Sequence, residues 1–120
     1  MCLSSSRYAD RFAASAYADD EPVGVFVSED DLDAVWVPER LFFRLKAVAE
    51  GYELHLLPLL GGREPMTLNA DQMHNLLDEL DFLRALLTAD QLIAEQVERL
   101  SLYLSALLRH PGASVTVEGG

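Results

Sequence analysis

Residues 69–110 carry the most restrictive pattern in the chain: two apolar stripes at helical spacing, each preceded by a start signal and the second followed by a stop. Asn69 has Gln72 three residues on, and Thr88 has Gln91 three residues on. This is the spacing of a reciprocal cap, in which the first side chain takes a backbone N–H of the opening turn and the Gln reaches back. Met73, Leu76, Leu77, Leu80, Leu83 and Leu87 form one stripe, and Ile93, Val97, Leu100, Leu104, Leu107 and Leu108 form the other. Steps of three and four place each set on one helix face, which predicts an antiparallel helical hairpin. Arg109 and His110 suit the negative end of the second helix, and Pro111-Gly112 stops it. The shared Ala-Asp-Gln at 70–72 and 89–91 is repeated helix-start chemistry rather than a duplicated unit, because the residues that follow differ.

Upstream, Val23–Val27 and Ala34–Val37 are β-branched runs that predict short strands. Pro38 is placed for the first turn of a helix whose residues Leu41, Phe42, Leu45, Val48 and Ala49 share one face, with Gly51 as its stop. Tyr52–Leu57 is expected as a strand, Gly61-Gly62 as a turn, and Met66–Leu68 and Ser114–Glu118 as further strands. Residues 1–22 are small and polar, either a weak helix capped by Ser6 or a loose arm, and residues 23–120 form a single domain. The expected fold class is α+β: a small mixed or antiparallel sheet packed against an antiparallel helical hairpin and one further amphipathic helix.

With 120 residues, half of them hydrophobic, the chain can build a core without staples. Its net charge of −11 is spread along the sequence. Such a field opposes a nucleic-acid backbone or an anionic membrane and attracts a basic protein. A single cysteine, Cys2, allows no internal disulfide and fits a reducing compartment. No apolar stretch reaches the roughly 20 residues a membrane span needs, and Arg7, Asp10 and Arg11 interrupt any secretory signal. The expected compartment is the cytoplasm.

Chemistry-bearing motifs are scarce. Gly61-Gly62 lacks the lysine and helix start of a phosphate loop. Asp71, His74 and Asp78 align on one helix face but supply too few ligands for a metal without help, and a solvated face accounts for them. A calcium loop beginning at Asp31 would place Trp36 where glycine is required and Phe42 where the bidentate Glu belongs. Cys2 has no base near it in sequence, and His55 alternates with leucines as a strand residue. The chain is therefore expected to be no enzyme and to need no cofactor.

Eight acids, Asp19, Asp20, Glu21, Glu29, Asp30, Asp31, Asp33 and Glu39, occupy positions 19 to 39 without an intervening Lys or Arg. On short strands and loops they could form one negative surface. Trp36 is expected in the core, as a lone Trp in an apolar run usually is; exposed, it would anchor an interface. Phe43, Phe82 and Leu102 fall off their stripes, which fits either two-sided cover, including a homodimer, or contact with a partner. In size, acidity and helix–strand mixture the chain resembles small bacterial immunity proteins and antitoxins. That resemblance implies an inhibitor that covers the active site of a basic toxin with carboxylates. The residues expected to bind such a partner are Asp19, Asp20, Glu21, Glu29, Asp30, Asp31 and Asp33, with Asp78 and Phe82 as a second patch. The alternative is a self-associating accessory or scaffold subunit using the helical hairpin.

Overall fold

Six valines, at 23, 25, 35, 37, 115 and 117, turn into one core, and their alternation sets the architecture. The structure is a computed structural model and describes residues 13–27, 31–62 and 64–119. Its elements are β1 (Pro22–Phe26), β2 (Val35–Pro38), α1 (Glu39–Gly51), β3 (Met66–Leu68), α2 (Ala70–Leu86), α3 (Gln91–Leu107) and β4 (Val115–Glu118). The strands form one antiparallel sheet in the order β2-β1-β4-β3, so the fold is α+β as its sequence implies. Strand residues alternate between faces. The valine face therefore meets Leu41, Phe42 and Leu45 of α1, Met73, Leu80 and Leu83 of α2, and Ile93, Val97 and Leu104 of α3 in a single cluster. α2 and α3 pack side by side as the expected hairpin. Among the described residues no helix is long and apolar enough to cross a membrane.

Three local expectations change. Trp36 is not a core residue but 44% exposed, because Val35 and Val37 take the inward positions on either side of it. Thr88 does not cap the second long helix. Asp90 does, its carboxylate accepting from the Ile93 N–H at 3.2 Å while also pairing with Arg44, and α3 starts at Gln91. The Asn69–Gln72 reciprocal cap on α2 is present, with both bonds at 2.9 Å.

Tyr52–Leu57 is not a strand. α1 runs to Gly51, but the left-handed residue that ends it is Glu53, at φ 59°. The chain folds back there, with the Leu54 N–H on the Ala49 carbonyl at 2.9 Å and the Glu53 N–H on that of Glu50 at 3.0 Å, the paired bonds of a Schellman ending. Next, the Leu56 and Leu57 N–H groups donate to the Glu79 carboxylate of α2 at 3.1–3.2 Å, and Leu57–Leu59 form a 3₁₀ turn. A side-chain acid thus takes the donors a strand ladder would have used. Gly61, at φ 73°, completes the turn and lies so close to Phe42 that a Cβ would stand 2.6 Å from its ring.

A helix running from Ser6 lies mostly outside the described residues. Within them, Ala14–Tyr17 is one 3₁₀ turn, and Tyr17 is buried in the common core. Tyr17 also lies beneath Arg40 and Arg44, with the Arg40 guanidinium carbon 5.0 Å from the ring centre.

Replacing Glu79 with Ala strands two backbone donors and should cost about 2 kcal/mol. A urea titration would show a lower midpoint at unchanged slope. Glu53→Gly removes a side chain from a left-handed position and should stabilise by roughly 0.5–1 kcal/mol, offset in part by a freer unfolded chain.

Candidate partner-binding surface

Between β1 and β2, Val27 and residues 31–34 carry a connected set of polar contacts. Asp31 Oδ1 accepts from the Asp33 N–H at 2.9 Å, and the Asp31 carbonyl accepts from Ala34 N–H at 3.3 Å. A short side chain that bonds the backbone two residues on closes a tight turn. Tyr103, buried on α3, donates its hydroxyl hydrogen to Asp31 Oδ2, and the Tyr103 hydroxyl oxygen in turn accepts from the Val27 N–H at 3.0 Å. One phenol therefore ties the end of β1 and the start of the turn to α3. Between the two acids, Leu32 is 99% exposed.

The turn forms one wall of an open cleft of about 510 Å³. Asp31, Asp33, Ala34 and Val35 line one side; Arg99, Leu102, Tyr103, Ala106, Leu107 and His110 of α3 and its end line the other. Leu102 is 64% exposed on the helix wall. Arg99 donates to Gln96 Oε1 at 2.9 Å, one turn back on its own helix. The cleft thus has an acidic rim on the turn, a basic rim on the helix and apolar side chains on both.

The Tyr103 hydroxyl and the Asp33 N–H both stabilise the charged form of Asp31 and hold its carboxyl below the usual range. Burial, then the hydrogen bond to Asp31, pushes the Tyr103 phenol well above its ordinary value. The two shifts act at opposite ends of the pH scale. The Asp31 contribution is intact above the unfolded carboxyl value of about 4 and is lost as pH falls through the folded one. The Tyr103 contribution is intact below about 10 and is lost as pH rises, since the unfolded phenol ionises first.

The remaining described acids of the 19–39 run stand elsewhere. Glu39 N–H bonds the Glu21 carbonyl at 3.0 Å, so Asp19, Asp20, Glu21 and Glu39 sit at the open end of the hairpin. That end is one strand away from Asp31 and Asp33, roughly 15–20 Å at the usual rise per residue. Asp20 is occupied: it accepts from the Arg40 backbone N–H at 2.9 Å and from Arg40 Nε at 2.8 Å, which lowers its carboxyl. Asp20 supplies the N-terminal acceptor for α1 that Pro38 cannot. Asp19 and Glu21 are exposed, and Glu29 and Asp30 lie outside the described residues. Among the described residues the run therefore divides between two ends of the hairpin, and Asp31 and Asp33 line the cleft of about 510 Å³.

Asp78 and Phe82 lie on α2, away from both groups. Phe82 meets Tyr52 edge to face, centroids 5.6 Å apart, and both rings remain exposed. Asp78 lines a shallow groove with His55, Gln72 and Asn75, in which Glu79 is already engaged by the backbone. Asp71 and His74 are exposed, and among the described residues no trio of His, Cys, Asp or Glu is placed to share a metal ion.

Sequence reasoning missed Leu32 and Tyr103. An apolar residue between two aspartates in a turn was the available signal for Leu32. A tyrosine beside Leu100 and Leu104 in an apolar stripe was the signal for Tyr103, because a buried phenol needs a hydrogen-bond partner. No protein-family model, curated protein or solved structure matches this chain.

An alkaline titration followed by ultraviolet absorbance should show the Tyr103 phenol ionising only as the protein unfolds. Tyr103→Phe should remove that late phenol and lower stability by about 1 kcal/mol. A late phenol that persists in Tyr103→Phe would assign it to another tyrosine.

Proposed function

We propose that this chain is a non-enzymatic binding module that inhibits a basic protein effector one-to-one, in the manner of immunity proteins and antitoxins, in the cytoplasm of the cell that makes it. The observation that carries this reading is Leu32, fully exposed between two carboxylates in a turn that Tyr103 holds in place. Monomeric surfaces tolerate single exposed apolar residues. An apolar tip fixed between two acids that themselves line a cleft with exposed Leu102 is the composition of an interface anchor with a charged surround.

The physical sequence of events follows from the charge and the turn. A net charge of −11 attracts a cationic surface from a distance, raising the encounter rate. At contact, Leu32 and Leu102 are desolvated while Asp31 and Asp33 meet lysines or arginines of the partner. Because Asp31 is already bonded to Tyr103 and to the Asp33 N–H, its side chain needs no ordering on binding. Self-association through α2 and α3 is the competing reading, favoured by exposed Phe82, Leu86 and Leu102. The same uniform negative charge opposes it.

Cross-linking in native-host lysate, followed by purification of the captured protein, tests the proposal. The expected partner is basic, binds one-to-one, and loses its toxicity when both are co-expressed. Leu32→Asp should weaken binding at least tenfold. Asp31→Asn combined with Asp33→Asn should slow association and flatten its dependence on salt. An acidic partner, or a double variant with wild-type kinetics, overturns the assignment. A dimer that persists on dilution selects the self-assembly reading.

A further inference from the structure

Among the described residues the three α-helices pack on the valine face of the sheet and none of them is part of the opposite face, where Phe26 is buried and Trp36 is half exposed. On that face, Trp36, Gly24 and Glu118 stand in a single row across β2, β1 and β4. The row is built around the glycine. The six-membered half of the indole lies against Gly24 so closely that a Cβ there would be 2.5 Å from Trp36 Cζ3. The same ring stacks on Phe26, centroids 5.8 Å apart and 24° from parallel. Trp36 is thus laid flat along the sheet, held from below and from one side, with 44% of its surface still open. Glu118 makes no ion pair or side-chain hydrogen bond among the described residues, and no strand residue on this face is Lys or Arg. The neighbouring pair, Thr67 and Thr116, bond each other at 3.1 Å and add no charge.

We propose that this face is a binding site for an arginine side chain of a partner protein, with the Trp36 indole as its floor and the Glu118 carboxylate as its counter-charge. The face of an indole is electron-rich and attracts a cation, and a planar guanidinium stacks on it in parallel while its N–H edge reaches a carboxylate. An ammonium would use the charge without the stacking, so arginine is preferred over lysine. An apolar side chain would use the ring and leave Glu118 unanswered. The site is independent of the acidic turn: it lies on the sheet face, whereas the cleft is lined by the turn and α3.

Trp36 is the chain's one tryptophan, so its indole N–H resonance and fluorescence report on this site alone. The probes are a short neutral peptide with one arginine, its lysine counterpart, and the citrulline version, which keeps the shape without the charge. The arginine peptide should shift the Trp36 indole signal and bind more tightly than either counterpart. Glu118→Gln, a surface change that leaves the core intact, should weaken it about two- to fivefold, and Trp36→Leu by a similar factor read from backbone shifts of β1 and β4. Asp31→Asn with Asp33→Asn should leave arginine binding unchanged, which separates failure of this site from failure of the acidic-turn reading. Equal binding of the arginine and citrulline peptides overturns the proposal. So does arginine binding unaffected by Glu118→Gln and Trp36→Leu.

Discussion

β4 arrives last along the chain and occupies the position on which the rest of the sheet depends, between β1 and β3. Without it the β1–β2 hairpin and the short β3 share no ladder. With it, Val25 and Met66 both lie beside Val117, and Val115 lies beside Leu68. Its alternation then fixes the two faces of the molecule together. Val115 and Val117 must turn towards the helices, so Thr116 and Glu118 must turn away. The same rule applied to β2 puts Val35 and Val37 inward and Trp36 outward. Both the one-sided core and the open aromatic face therefore follow from a single periodicity.

Part of the acidity has a structural use. Asp20 completes the start of α1 and Asp90 the start of α3, each also paired with an arginine of α1. Glu79 holds the Leu56–Leu57 backbone, and Asp31 closes the β1–β2 turn. Negative side chains are favourable at helix N-termini, where unpaired N–H groups and the macrodipole are positive. Net charge by itself therefore overstates the surface available to a partner. The acids that remain accessible to a partner are fewer than the net charge suggests, and they are distributed over several faces.

The elements with clean periodicity were legible from residues alone: α1, the α2–α3 hairpin, the valine strands and the Asn69 cap. The failures share one cause, namely that a side chain distant in sequence supplied what local pattern had assigned elsewhere. Tyr52–Leu57 has strand composition, but Glu79 takes its donors and Glu53 turns the chain. Thr88 has cap spacing, but Asp90 gains a second partner in Arg44. Trp36 sits in an apolar run, yet strand alternation outranks the general preference of tryptophan for the interior. For the binding surface, the sequence marked Asp31 and Asp33 but could not separate them from Asp20, because Arg40 is nearby only after the hairpin closes.

The features with most to offer a partner both belong to the β1–β2 hairpin, Leu32 at its turn and Trp36 on its outer face. This hairpin forms the edge of the sheet at β2, and Tyr103 fastens its turn to α3. An edge hairpin is accessible but would ordinarily be mobile, and mobility weakens binding through the ordering it requires. The Tyr103 hydroxyl at Val27 and Asp31, and the Asp20–Arg40 contacts at the other end, restrain the described residues of the hairpin. They do so without covering the apolar tip or the indole. Hydrogen bonds that restrain an edge hairpin while large apolar groups stay in water do little for stability alone and favour recognition.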